Sequence, residues 1–168
     1  DYDIWPLWQA AVAGEVPVER YLEIVRFQAC IEPTGFTKMR CVENHDNPRI
    51  ARLAGDPALA RAWTALIAFL PGALLLYAGQ ESATPRTPTL FEVDPIAWDG
   101  YELSGFLRTL AGLKKDPALD GTFQLLAAEP VVQAAWRTPD GGLYGVFRVS
   151  RDAAAAQADV AVQLPDGV

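Results

Sequence analysis

Histidine and cysteine, the usual ligands of transition metals, are scarce in this chain. Its 168 residues include one histidine and two cysteines, Cys30 and Cys41, and there is no Cys-x-x-Cys pair. Structural zinc sites are usually built from four Cys or His ligands, so we expect neither a transition-metal site nor a cofactor. The cysteines fall at a predicted helix end and in a predicted buried strand, where free cysteine packs as a small hydrophobe. We therefore expect two reduced core thiols rather than a disulfide.

Blocks of basic residues and long uninterrupted apolar runs are also missing. The net charge is −7 and is spread along the chain, so a phosphate-rich partner would be repelled. The longest apolar run, Ala62 to Tyr77, is broken by Pro71-Gly72 and is shorter than the roughly 20 residues that span a bilayer. We expect no nucleic-acid or membrane partner. The compartment is undetermined, with the cytoplasm favoured.

Three segments have the 3.6-residue apolar periodicity of amphipathic helices. They are Val18 to Ala29, a segment that starts at Asp56-Pro57 and ends at Pro71-Gly72, and Tyr101 to about Lys115. In the second, Asp56 is a suitable N-cap and Pro57 a suitable first helical residue. Its predicted buried stripe consists of Leu59, Trp63, Leu66, Ile67 and Leu70.

Two apolar segments alternate with these helices and are predicted to be buried strands. We interpret Lys38 to Glu43 and Ala73 to Tyr77 as parallel strands, which in an α/β fold are buried on both faces. Polar residues follow each of them, and ligands of α/β proteins bind beyond the carboxyl ends of such strands. Asp46 and Glu81 are therefore where we expect an active site.

After Pro117 the pattern changes to short apolar runs separated by turn residues. The predicted strands are Phe123 to Ala127, Val131 to Arg137, Leu143 to Val149 and Val160 to Leu164, with a hairpin turn at residues 139–142. This predicts an antiparallel β module. The chain is thus expected to divide into an α/β part, 1–117, and a β part, 118–168.

The sequences at the two predicted strand ends resemble those of the α-amylase family of retaining glycoside hydrolases (glycoside hydrolase family 13). Members carry Asn-His-Asp after the seventh barrel strand and Pro-Gly, an apolar run, Tyr and Gly-Gln-Glu through the eighth. Here these are Asn44-His45-Asp46 and Pro71-Gly72 to Glu81. Tyr2-Asp3 looks like the sixth strand, and Leu103 to Pro117 looks like the eighth helix. The resemblance implies a partial (β/α)8 barrel, strands six to eight with their helices, followed by the start of a C-terminal β-sandwich.

Retaining hydrolysis needs a carboxylate nucleophile and a carboxylic acid about 5 to 5.5 Å apart. From the residues alone, Asp46 and Glu81 would be that pair. The resemblance instead implies that nucleophile and acid lie on the fourth and fifth strands, upstream of this chain, and that Asp46 is the third, transition-state-stabilising carboxylate. The chain alone is then expected to be inactive. The alternative for Asp46 is a helix or turn cap, since Asp-Asn-Pro favours turns.

Further roles are carried over from the resemblance. His45 is expected to bind sugar, the alternative being a loop histidine with satisfied hydrogen bonds. Asn44 is placed with the substrate-binding residues, although holding the strand end is favoured for it. Arg49 matches a family arginine that follows the triplet; its alternative is a surface charge. Gln80 and Glu81 are expected to support the site by pinning neighbouring loops rather than by touching substrate.

Aromatic residues near the second strand end could stack on sugar rings, but packing is favoured for them. These are Tyr77, Trp98 and Tyr101. Trp63 is expected in the core on the helical stripe, and Trp5 and Trp8 are also expected there rather than in a sugar platform.

The expected partner is an α-glucan or oligosaccharide. A partial barrel leaves an open sheet edge and a bare apolar face, so we also expect self-association or complementation by the missing barrel part. The alternative function is a non-catalytic amylase-like module that binds glucan or a protein. The upstream reading frame distinguishes the two, because only an enzyme needs the other two carboxylates.

Overall fold

The computed structural model describes residues 2–100, 102–152 and 159–163, and combines helices with two small sheets. Within these residues the helices are α1 (Trp5–Ala13), α2 (Val18–Ile31), α3 (Ile50–Ala54), α4 (Pro57–Phe69) and α5 (Ser104–Leu113). The strands are β1 (Met39–Arg40), β2 (Ala73–Leu74), β3 (Thr122–Ala127), β4 (Val132–Thr138) and β5 (Gly141–Phe147). Short 3-10 turns lie at Tyr2–Ile4, Gln80–Ser82 and Pro117–Asp120. β1 and β2 pair in parallel, and β3-β4-β5 is antiparallel.

The helices expected from periodicity are present, and their ends follow local chemistry. The Asp56 carboxylate accepts a hydrogen bond from the Leu59 amide at 2.7 Å, and α4 begins at Pro57 as predicted. All five residues of its predicted stripe are buried. α2 extends to Ile31, and Gln28 rather than Ala29 faces the interior. The Gln28 amide makes this acceptable by donating to Asp3 Oδ2 at 2.7 Å.

The parallel strands are shorter than predicted. The Ala73 and Leu75 amides donate to the Lys38 and Arg40 carbonyls at 2.8 and 2.9 Å, and the regular pairing stops there. Among the described residues each of these strands has one neighbour, so the ladder extends only where the two segments run side by side. Met39 and Leu76 are exposed at this pair.

Two predicted strands are corrected. Tyr2-Asp3 lies in a 3-10 turn, because Pro6 in the first turn of α1 starts a helix almost at once. Val160 to Gln163 forms no regular element, and Leu164 lies outside the described residues. β4 is already flanked by β3 and β5, so this segment reaches it through the Gln133 side chain, which bonds Ala161 O and the Gln163 amide at 3.0 and 2.8 Å. The turn at Pro139-Asp140 is confirmed.

The core is centred on an aromatic cluster. Trp63 is fully buried and meets Trp8 and Tyr21 edge-on at centroid distances of 6.3 and 6.1 Å, and Trp5 lies 4.6 Å from Trp8. The prediction that the three tryptophans belong to the core is confirmed. Burial raises the pKa of Tyr21 to about 12.

The antiparallel sheet packs on the helices and shares their core. Trp136 on β4 donates its indole N–H to the Phe69 carbonyl at the end of α4 at 2.8 Å, and Phe69 lies 5.3 Å from Phe147 on β5. Arg151, beyond β5, donates to the carbonyls of Val12, Leu53 and Ala54 at 2.7 to 2.8 Å. Residues of the sheet and of the helices therefore form one hydrophobic cluster.

Both cysteines are free thiols, as expected, but only one is in the core. Cys41 is buried and Cys30 is exposed, because the last turn of α2 faces solvent. Burial raises the pKa of the Cys41 thiol. No helix of the described residues is long and apolar enough to cross a membrane.

Lys114, just after α5, should make stability depend on pH. Its ammonium donates to the Leu70 carbonyl at 2.7 Å, and burial, together with the charge of Arg40, lowers its pKa from 10.5 to about 8. Between these values the unfolded chain binds more protons than the folded one, so stability attributable to Lys114 rises with pH and is lost as pH falls toward 8. Relative to Lys114→Met, the parent protein should gain melting temperature between pH 7 and pH 10. A difference that stays constant with pH would contradict this expectation.

Candidate active site

Two exposed side chains stand where the buried segment after β1 reaches the surface. Cys41, Val42, Glu43 and Asn44 are all buried, whereas the side chains of His45 and Asp46 are 57% and 41% exposed. His45 Nε2 lies 3.4 Å from Asp46 Oδ2. An imidazole and a carboxylate are thus presented together to solvent at a strand end, as hydrogen-bonding groups for a polar ligand.

Asn44 holds this turn together. Its Oδ1 accepts from the Asp46 amide and from Asn47 Nδ2, both at 2.9 Å, and its Nδ2 donates to the Tyr2 hydroxyl at 3.1 Å. The amide is therefore used in holding the strand end, the role favoured for it from sequence.

The Asp46 carboxylate is oriented by Tyr2, a residue from the start of the chain. The Tyr2 hydroxyl donates to Asp46 Oδ2 at 2.7 Å, and this bond, with burial and the charge of Asp46, raises the pKa of Tyr2. Asp46 is not the cap of α3, whose N-cap is Arg49 without a side-chain cap bond. The side-chain bond that closes the turn comes from Asn44 instead.

Arg49 is fully buried, so its interpretation as a surface charge is wrong. Its Nη1 lies 2.7 Å from Glu43 Oε1 and 2.9 Å from the Ala78 carbonyl, and its Nε donates to the Arg86 carbonyl at 3.3 Å. Its guanidinium lies 4.4 Å from the centroid of the Tyr77 ring. Tyr77 thus packs on a buried cation, in line with the packing role favoured for it.

The Gly79-Gln80-Glu81 segment supports the loops after β2. Glu81 Oε2 accepts from the Gly79 amide at 2.8 Å, and its backbone carbonyl accepts from the Leu103 amide at 2.9 Å. Gln80 is buried. Gly79 has φ +93°, and a Cβ there would lie 2.9 Å from Ile96 Cγ2 and 3.2 Å from Arg49 Nη2. Glycine is therefore needed for the guanidinium to pack against this backbone.

Sequence reasoning missed two contributors to the site. Glu43 is 1% exposed, and burial raises its pKa although Arg49 pulls the other way. From the sequence, Tyr2 is predicted only as part of a strand and is given no role in the site. A charged residue at the end of an apolar run, six residues before an arginine, is the signal that could have identified Glu43. No local signal identifies Tyr2, whose partner Asp46 is 44 residues away.

Two further aromatic residues were expected near this strand end. Trp98 is 45% exposed, and Tyr101 lies outside the described residues. A cavity of about 820 Å³ lies elsewhere, between the β1–β2 pair and β3, where Arg40, Lys114 and Trp136 line it. In residues 2–100, 102–152 and 159–163, no group of three His, Cys, Asp or Glu side chains could hold a metal ion.

Solved structures with this arrangement are known, although no protein-family model and no curated protein matches the chain. An α-amylase from Lactobacillus plantarum superposes with a TM-score of 0.82 and 29% identity, covering 89% of this chain and 36% of its own. A noncanonic maltogenic α-amylase from Thermotoga neapolitana superposes with a TM-score of 0.81 and 26% identity. The match covers 89% of this chain and 37% of that amylase. A debranching enzyme from Nostoc punctiforme shares the fold at 18% identity and a TM-score of 0.66, with coverages of 84% and 34%.

The chain therefore spans little more than a third of the length of the two amylases. The likeness extends over 89% of this chain in both cases. The chain is therefore similar, over nearly all of its length, to a part of α-amylase-family structures, as the motifs at Asn44–Asp46 and Gly79–Glu81 suggest.

Proposed function

We propose that this chain is the portion of a retaining α-glycosidase or transglycosidase that supplies the transition-state-stabilising carboxylate, Asp46. The observation that carries the proposal is the exposed pair His45 and Asp46, held at a strand end by buried Asn44. The amylases and the debranching enzyme that share the fold favour an α-glucan or oligosaccharide substrate.

In this proposal each side chain has a distinct task. The Asp46 carboxylate faces the positive charge that develops on the sugar ring, and its hydrogen bond from Tyr2 keeps it oriented before substrate arrives. His45 donates a hydrogen bond to a sugar hydroxyl. Gln80 and Glu81 hold the loops, and Arg49, being buried, acts through its neighbours rather than on the sugar.

The architecture proposed with this function is a partial barrel, residues 1–117, followed by the start of a β-sandwich, residues 118–168. The nucleophile and the acid/base then come from a part of the protein upstream of this chain. Exposed Met39 and Leu76 beside the β1–β2 pair belong to a face that this missing part, or a second copy, would cover.

The proposal predicts that the chain alone releases no sugar from α-glucosides, because double displacement lacks two of its carboxylates. The measurement is release of reducing sugar or chromophore by the purified chain, with light scattering on the same sample, in which we expect association. Turnover that disappears on Glu81→Gln would make Asp46 and Glu81 a working pair and refute the assignment. A compact 18 kDa monomer would contradict the proposal that the β1–β2 pair leaves an apolar face uncovered.

A further inference from the structure

A buried carboxylate, Glu43, fixes the two ends of the loop that carries Asp46. Glu43 Oε1 lies 2.7 Å from Arg49 Nη1, and Glu43 Oε2 accepts from the Ile50 amide at 2.9 Å. The two bonds join the residue before the triplet to Arg49 and Ile50, the N-cap and the first residue of α3. Everything between them, including Asn44, His45 and Asp46, is therefore a loop with both ends fixed.

The same arginine connects this loop to the second strand end. Arg49 donates to the Ala78 carbonyl just beyond β2 and to the Arg86 carbonyl in the following loop, and it stacks on Tyr77. Gly79 leaves the space that this packing requires. One guanidinium thus sets the distance between the Asp46 turn and the segment after β2.

A gain in folding stability does not readily explain why Glu43 and Arg49 are buried as an ion pair. Glu43 and Arg49 are 1% and 0% exposed, and the desolvation of buried ions often cancels or exceeds their attraction. Burial raises the pKa of Glu43 in spite of Arg49, which agrees with a net penalty. Apolar residues of similar volume would fill the space as well. They would leave the Ile50 amide and the Ala78 carbonyl without these partners, and so would leave the turn unfixed.

We infer that the buried Glu43–Arg49 pair is a positioning device that holds the Asp46 carboxylate at the geometry the reaction needs. Glu43 and Arg49 do not touch the sugar; they act through the turn. This inference rests on the proposed function, because it gives the pair a role only if Asp46 acts in the reaction.

The test is a double-mutant cycle in the full-length protein. Glu43→Gln keeps the size and an acceptor for the Ile50 amide but removes the charge that holds Arg49. It should lower kcat by about tenfold to a hundredfold with little change in KM, since small displacements of a reacting group have effects of this order. In an Asp46→Asn background the same change should leave kcat nearly unaltered, because no carboxylate remains to be positioned.

Two further variants keep the test decisive. Arg49→Lys retains the charge but replaces the planar guanidinium, whose Nη1 and Nε bond separate partners, by a single ammonium. It should give the same non-additive pattern, and it serves as the test variant if Glu43→Gln does not fold. Asp94→Asn breaks the exposed Arg86–Asp94 pair on the neighbouring loop and should leave kcat unchanged.

The outcomes separate the two proposals. Parental kcat in Glu43→Gln, or the same fold-loss with and without Asp46, would overturn the positioning role and leave Asp46 in place. Parental kcat in Asp46→Asn alone would overturn the proposed function, and the positioning role would fall with it.

Discussion

Asp46→Asn in the full-length protein should lower kcat by about a hundredfold to a thousandfold and change KM far less. A carboxylate that meets the charged, distorted sugar more strongly than the relaxed substrate lowers the barrier without tightening binding. Losing such a charged hydrogen bond is worth roughly 3 to 4 kcal/mol, by analogy with an oxyanion-hole donor. Asparagine keeps the size and one acceptor for the Tyr2 hydroxyl, so the turn should survive. The measurement is steady-state kinetics on an α-glucoside.

The matched control is Asp140→Asn, the same substitution in the exposed β4–β5 turn. It should leave kcat and KM as they are. If Asp46→Asn melts like the parent and keeps most of its kcat, Asp46 is only part of a turn and the proposed function fails.

Trp63→Ala should destabilise the fold by about 3 to 5 kcal/mol, because deleting a buried indole removes its burial and leaves a cavity. Trp63 is fully buried between Trp8 and Tyr21, two large rings that a small local shift cannot bring together. The measurement is the midpoint of urea unfolding at one fixed protein concentration, since association also shifts that midpoint.

Phe91→Ala serves as its control. Phe91 is also aromatic but 93% exposed, and its removal should change stability by less than about 0.5 kcal/mol. Equal midpoints for the two variants would mean that the aromatic cluster is not the centre of the core.

Features governed by near neighbours could be predicted from the sequence. Helix α4 follows from Asp56, Pro57 and a stripe of apolar residues, all of which act within a few turns of chain. The Pro139-Asp140 turn is local in the same way. The exposed positions of His45 and Asp46 also agree with the expectation, because polar residues that follow an apolar run tend to leave the interior.

Features that depend on distant partners could not be predicted. The length of β1 depends on where residues 73–75 lie beside it, and the segment after Val160 depends on a side chain of β4. Arg49 could not be assigned to the surface or the interior from sequence, because its environment is made by Ala78 and Arg86, which are 29 and 37 residues away. The resemblance to the α-amylase family identified the turn residues Asn44 to Asp46. It did not identify the buried Glu43–Arg49 pair that fixes the ends of their loop.

The shared packing of the sheet and the helices couples the opening of one to the opening of the other. Opening the β3-β4-β5 sheet would break the Trp136 bond to Phe69 and release the Arg151 guanidinium from the ends of α1 and α3. Opening the helices would expose the apolar side of the sheet to solvent. We therefore expect the sheet and the helices to unfold together in a single cooperative transition.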